Sequence, residues 1–230
     1  MQILVDQKFQ SLGFAVHLGA IHFPVQVTES PAGLVESLQA EAESRQAEMM
    51  GEAASSDPII ASIREAFKIC GKDPSRYRPS SEALLRRVMS GKDLYFINNV
   101  VDAANLLSLG TGLPVGCYDI DQINGDITLR VGTENETYEG VGRGSINLEG
   151  LPLLADDQGP FGTPYSDSLR TSVTETTTNF LLILFGLNIE VDYLEQIADA
   201  ADLIYSQYCI PEDKLAELEN ELEEDQLNEV

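Results

Sequence analysis

The stretch VVDAANLLSLGTGLPVGCYDIDQING, residues 100–125, changes period partway along. From Val100 to Leu109 it is mostly apolar and helix-forming, and Gly110 and Gly112 close it, as glycine does where a helix ends. From Val115 the residues favour strand, with Gly116 to Ile120 as one segment. Asn124-Gly125 then signals a hairpin, because a two-residue type I′ turn needs positive φ at both central positions. Ile127, Leu129 and Val131 follow, alternating with polar residues. Helices precede this switch and short strands follow it, which predicts an α+β fold.

On the N-terminal side, Phe14 to Val27 is apolar and β-rich and reads as one strand or a hairpin. Pro31 to Met50 is helical in composition, and Gly51 to Ser56 reads as a linker. Asp57 is placed to cap a helix with Pro58 at its first position, and Ile59, Ile63, Phe67 and Cys70 share a face before Gly71 stops it. Pro79 opens another helix, with Leu84, Leu85 and Val88 inward, Arg86 and Arg87 outward, and Gly91 at its end. On the C-terminal side, Tyr138 to Leu148 and Leu151 to Ala155 read as short strands, and Phe180 to Phe185 as a buried one. Val191 to Tyr208 is an amphipathic helix. The expected organisation is an N-terminal strand-and-helix arm over 1–56, a core over 57–210 and an acidic tail over 211–230. The tail carries nine acids and one lysine, with Leu215, Leu218 and Leu222 at helical spacing, and reads as a docking helix or a solvated end.

Composition narrows the function. No apolar run reaches the roughly 18–20 residues of a membrane span. The first fourteen residues lack the basic start and apolar stretch of a secretory signal, so a cytoplasmic protein without a membrane partner is expected. Cys70, Cys117 and Cys209 form no CxxC pair and read as buried thiols. His17 and His22 share one apolar stretch and read as structural, so no metal is expected. The formal net charge of -24 opposes nucleic-acid binding, which draws on Lys and Arg. Eight of the fourteen basic residues nevertheless fall between Arg64 and Lys92, among only Glu65, Asp73 and Glu82. That segment is either a solvated helical face or a positive patch for a polyanion.

Motifs add little chemistry on their own. Gly140-Val141-Gly142-Arg143-Gly144 is glycine-rich but lacks the GxGxxG spacing between strand and helix, and reads as a hairpin. No GxSxG elbow occurs. The segment from Gly159 to Arg170 (GPFGTPYSDSLR) is a polar loop, and polar loops positioned by a scaffold often carry function.

Four segments together carry a resemblance. They are Arg76 to Asp121 (RYRPSSEALLRRVMSGKDLYFINNVVDAANLLSLGTGLPVGCYDID), Gly125 to Arg130 (GDITLR), Leu153 to Gly162 (LLADDQGPFG) and Asp167 to Gly186 (DSLRTSVTETTTNFLLILFG). In this order they resemble the paired B-three/B-four domain, the tRNA-editing domain of the phenylalanyl-tRNA synthetase beta subunit, over roughly Asp73 to Gly186. The resemblance implies a three-layer α+β domain holding a β-sandwich of unusual topology covered by helices. It also implies that the synthetic site and the anticodon-binding parts of the synthetase are absent. In the synthetase this domain hydrolyses tyrosine misattached to the phenylalanine tRNA. A second sieve of this kind is needed because an apolar pocket rejects an added hydroxyl poorly.

Carried over residue by residue, Asn105 matches the family's helix asparagine near the pocket, and Tyr118 and Asp119 match its aromatic-acid pair. Gly116 stands where many bacterial synthetases have a histidine lining the editing site. Asp167 is the candidate for the pocket's glutamate. The resemblance thus implies Asp167 and Asn105 as catalytic residues orienting water or the substrate amine. Thr163, Tyr165, Ser166, Arg170, Gly116, Tyr118 and Asp119 become the substrate-binding set. Arg76, Arg78, Arg86, Arg87 and Lys92 become the residues that meet acceptor-end phosphates. Two functions compete: an aminoacyl-tRNA hydrolase acting in trans without aminoacylation, and a non-catalytic module binding an amino acid or related metabolite. The expected partner is accordingly a tRNA acceptor end or an amino-acid-like small molecule, not DNA, and no cofactor is expected.

Overall fold

The computed structural model describes residues 1–217. Leu218 and Leu222, and with them most of the acidic tail, lie outside the described residues; residues 212–217 form a helical turn. The chain opens with β1 (Ile3–Val5), α1 (Lys8–Leu12), β2 (Val16–Pro24) and α2 (Ala32–Glu48). The helices α3 (Pro58–Ile69), α4 (Ser80–Met89) and α5 (Asn99–Thr111) follow in succession. Next come β3 (Val115–Asp119), β4 (Ile127–Val131), β5 (Thr137–Gly140), β6 (Gly144–Asn147), β7 (Pro152–Asp156) and β8 (Gly159–Gly162). The long strand β9 (Asn179–Leu187) and helix α6 (Val191–Tyr208) complete the order.

Local chemistry explains the boundaries. Asp57 Oδ1 accepts the N–H groups of Ile59 and Ile60 at 2.9 and 3.0 Å, satisfying two donors that the first turn of α3 leaves unpaired, and Pro58 follows at N1. The face of α3 is turned by one residue from the expected one: Ile60, Ile63, Ala66 and Phe67 are buried and Ile59 is half-buried. Asn98 caps α5 by accepting from Val101 N–H, and Gly112 ends it at φ +74°, a left-handed conformation that favours glycine.

Two sheets form the body. One has the order β1-β4-β7-β8, the other β2-β9-β3, and β5 and β6 make a separate hairpin. The strand latest in sequence is therefore the centre of the second sheet, antiparallel to both neighbours. Every residue of β9 from Phe180 to Leu187 is buried because both its faces are covered. Gly116 and Tyr118 of β3 share the face that meets Phe161 and Gly162 of β8. On the other face Phe23 and Phe180 stack on Tyr205 of α6, with ring centroids 4.5 and 5.1 Å away. The molecule is α+β, with sheet on sheet and helices outside.

The Asn124-Gly125 signal resolves differently from a hairpin. Gly125 does take a positive φ of +79°, but β3 and β4 are not paired. β3 pairs with β9 and β4 with β1 and β7, so the turn passes the chain from one sheet to the other. Phe14 to Val27 yields a single nine-residue strand, and the glycine-rich segment forms the β5–β6 hairpin.

Candidate functional site

β3 is an edge strand, and edge strands present N–H groups with no ladder partner. The loop after β8 fills that edge. Cys117 N–H donates to Asp167 Oδ2 at 3.2 Å, and Asp119 N–H donates to the Thr171 carbonyl at 2.9 Å. The loop is held rigid from within: Thr163 Oγ1 accepts the Ser166 N–H at 3.1 Å, and the Tyr138 hydroxyl donates to the Ser166 carbonyl. The Pro164 carbonyl takes the Ser80 N–H at 2.8 Å, tying the loop to the start of α4, and the Asp167 carbonyl takes the Val141 N–H at 3.0 Å, tying it to the hairpin tip. A pocket of about 650 Å3 opens between these elements. Its size is that of a small-molecule site.

The walls come from six places. α4 supplies Ser80 and Leu84, and the segment before α5 supplies Tyr95 and Ile97. α5 contributes Val101, Ala104, Asn105 and Ser108, and β3 contributes Val115 and Cys117. The hairpin tip Val141-Gly142-Arg143 and the loop residues Tyr165, Ser166, Asp167, Ser172 and Val173 complete it. Aliphatic side chains are the largest group in this lining, with one carboxylate and one guanidinium among the rest.

Asp167 is the chemically unusual group. Its Oδ1 accepts from the Tyr118 hydroxyl at 2.6 Å. Burial pushes its carboxyl up to about 7, and hydrogen bonds from Tyr118 and from the Cys117 and Thr163 backbone restrain the rise. Tyr118 itself is fully buried and, by burial and then by the nearby Asp167 charge, keeps its proton far above the usual phenol range. Burial likewise raises the Cys117 thiol, reinforced by Asp167, so the thiolate needed for nucleophilic attack is suppressed. Asn105 lines the α5 wall and hydrogen-bonds Asp102. The Asp102 carboxylate also accepts from Ser30 Oγ at 2.6 Å and from the Ile97 N–H.

The predicted residues divide. Asp167, Asn105, Tyr165 and Ser166 line one pocket, with Thr163 and Tyr118 directly behind them. Gly116 sits against the Tyr118 ring, where a Cβ would collide with the phenol. Asp119 is buried outside the pocket, accepting from Thr177 Oγ1 at 2.9 Å and from the Asp121 N–H. Arg170 is turned to the opposite side, where it makes a two-point pair with Asp156 at 2.8 and 3.0 Å and reaches the Gln122 carbonyl. Burial acts to raise the Asp156 carboxyl, but Arg170 and the N–H groups of Asn124 and Gln158 hold it below its ordinary range.

The basic segment is largely occupied with holding the fold. Glu82, 1% exposed, faces Arg64 at 2.7 Å, Arg78 at 3.4 Å and Arg86 at 3.8 Å. Lys72 donates to the carbonyls of Asn147 and Glu149, and burial lowers its pKa. Arg87 donates to the Asp93 carbonyl and lies 3.7 Å over the ring of Tyr95, at the pocket rim. Arg76 is exposed near Tyr77, and Lys92 lines a separate depression between α2 and α4. Sequence reasoning passed over Arg143, whose guanidinium sits 4.6 Å over the ring of Tyr165 and bonds its hydroxyl. A lone arginine between two glycines at a hairpin tip was the available signal. It also passed over Tyr95-Phe96-Ile97, an apolar run left exposed beside the opening.

Among the described residues no helix is long and apolar enough to cross a membrane. The phenylalanine–tRNA ligase beta subunit of Mycoplasma genitalium is 35% identical over 96 residues, covering 41% of this chain and 12% of that subunit. Its Mycoplasma pneumoniae counterpart is 30% identical over 113 residues, 48% of this chain and 14% of the subunit. The chain thus corresponds to a small part of these relatives' length. A solved N-terminal fragment of the phenylalanyl-tRNA synthetase beta subunit from Pyrococcus horikoshii aligns over 89% of this chain and 48% of that one, with a TM-score of 0.45 and 15% identity. The B3/4 domain profile matches residues 62–192, more than half of the chain and the part that builds β3, β9, α4, α5 and the pocket loop: this protein belongs to the B3/4 domain family related to the phenylalanyl-tRNA synthetase beta subunit.

Proposed function

We propose that the protein is an editing-type hydrolase that cleaves the ester of a misacylated tRNA in trans, without aminoacylation activity. The observation that supports this reading most is Asp167, a carboxylate with a pKa near 7 on a pocket wall, with Asn105 lining the same pocket. A base of that strength is matched to neutral pH. In the step proposed, water attacks the ester carbonyl while Asp167 accepts its proton. The bond from the acyl carbon to the ribose oxygen then breaks, and the proton passes to that oxygen. An aminoacyl ester is already reactive, so positioning supplies most of the remaining acceleration. Arg143 on the pocket wall, and Arg87 stacked on the lining residue Tyr95, suit the acceptor-end phosphates.

Purified protein incubated with a panel of aminoacyl-tRNAs tests this directly. The expected result is hydrolysis of at least one ester well above the buffer rate; buffer-level rates across the panel overturn it. One observation favours the second reading, a non-catalytic binding module: both Asp167 oxygens already accept hydrogen bonds, and no histidine is among the described residues lining the pocket. On that reading, free amino acids or their derivatives raise the melting temperature with no turnover.

A further inference from the structure

Four strands form the edges of the two main sheets, and three of them are protected. β1 is only three residues long. The pocket loop fills the other two: the Phe161 carbonyl of β8 takes the Ser168 N–H at 2.9 Å, and the loop accepts the Cys117 and Asp119 N–H groups of β3. β2 is different. It runs opposite β9 for nine residues, from Val16 against Leu187 to Pro24 against Asn179, without a register shift. It carries no Asp, Glu, Lys or Arg. Charge, bulges and covering segments are the usual ways to blunt an edge, and β2 has only Pro24 at its end.

The open groups can be named. Asn188 N–H donates to the Ala15 carbonyl toward β2, and Phe185 N–H to the Pro114 carbonyl toward β3. Antiparallel bonding alternates, so His17, Gly19, Ile21 and Phe23 face β9, and Val16, Leu18, Ala20 and His22 turn their N–H and C=O groups outward. Among the described residues nothing pairs with those outward groups, and Ala20 and His22 are exposed. We propose that this edge is a self-association surface, on which the β2 strand of a second copy of this chain pairs antiparallel about a two-fold axis to make one continuous sheet.

A second copy fits because the strand is complementary to itself. With the axis at Gly19, Val16 faces His22 and Leu18 faces Ala20 of the second copy. The outward donors and acceptors of these four residues are then all used, and Pro24, which cannot donate, stays outside the ladder. Two strands without formal charge meet at the seam, so no ion is buried there. The groove between β2 and α6, lined by Val16, Leu18, Val191, Leu194 and Ala198, borders the same edge, so apolar surface lies beside the new ladder. The opposing term is charge. α6, packed on β2, carries Asp192, Glu195, Asp199 and Asp202, which repel across the axis. Salt screens that repulsion and tightens the dimer, opposite to its effect on binding a nucleic acid.

Sedimentation equilibrium of the full chain, with amide exchange read by NMR, tests the inference. The parent should move toward twice its chain mass as concentration rises through the micromolar range, and more readily at high salt than at low. Exchange reads the register. The amides of His17, Gly19, Ile21 and Phe23 should be slow at every concentration because β9 holds them, and those of Val16, Leu18, Ala20 and His22 should become slow only as the dimer forms. Ala20→Pro removes one outward donor from each copy at an exposed position of an edge strand, where proline is tolerated. It should raise the dimer Kd by about thirty-fold or more, one hydrogen bond being lost on each side of the axis. Should that variant fold poorly by circular dichroism, Ala20→Lys, which puts a charge on the edge, takes its place with the same expected direction. A parent that stays monomeric throughout overturns the inference, as does a dimer that the folded variant leaves intact or whose outward amides stay fast. Slow outward amides in a monomer also overturn it, since the strand would then be covered by its own chain. None of these outcomes depends on ester cleavage, which the aminoacyl-tRNA panel tests separately.

Discussion

The hydroxyl of Tyr118 occupies the volume into which a side chain at Gly116 would project, two positions earlier on the same face of β3. The glycine that stands in place of the family's histidine is therefore a packing requirement of this chain. Gly116→Ala should destabilise the protein by about 1–3 kcal/mol through overpacking, since the fully buried ring has no free space to enter. Urea unfolding measures this. A loss under about 0.5 kcal/mol would mean that Tyr118 has another resting position.

Removing the Tyr118 hydroxyl should raise the Asp167 carboxyl further, because that hydrogen bond is the first of the contacts restraining it. In Tyr118→Phe, a carbon-detected NMR titration of the carboxyl should show a midpoint above that of the parent, by on the order of one pH unit. A downward shift would contradict the assignment.

Asp167 also ties stability to pH. Its folded value of about 7 lies above its unfolded value, so the folded protein binds the extra proton and stability falls as pH rises from about 5 to about 8. Asp167→Asn lacks that titration. The difference in stability between variant and parent should thus move in the variant's favour by about 2–3 kcal/mol across that interval. Thermal melts at pH 5, 6.5 and 8 check it, and parallel curves would refute it.

Glu82 binds three arginines to the core, so the basic segment should lose stability unequally. Glu82→Ala takes the carboxylate from the part-buried Arg64 and should cost about 3 kcal/mol, the low end for a broken buried pair. Arg86→Ala removes a half-exposed partner at 3.8 Å and should cost less than about 1 kcal/mol. Chemical denaturation of both variants distinguishes the two. If tRNA binds, Arg143→Ala should lower its affinity more than Arg86→Ala, since Arg143 lines the opening and Arg86 leans on Glu82.

Much of the architecture is legible in the sequence because its signals are local. Asp57-Pro58 starts α3, Gly112 ends α5, and the unbroken apolar run from Phe180 lies at the centre of a sheet covered on both faces. Asn124-Gly125 misled because a turn dipeptide fixes backbone angles but not which strands pair; that depends on β9, more than fifty residues away. The site follows the same division. Asp167 and Asn105 are legible through resemblance. Arg170 is drawn to Asp156 and Asp119 to Thr177 by partners that no spacing reveals. Arg143 is brought to the pocket only by the β5–β6 hairpin and its ring contact with Tyr165.

The most direct measurement is the rate of aminoacyl-tRNA hydrolysis against pH for the parent and for Asp167→Asn. The parent rate should rise through an inflection near pH 7, and the variant should be slowed by about 10²–10⁴-fold with no such inflection. An Asp167→Asn protein that folds and hydrolyses the ester at the parent's rate would contradict it.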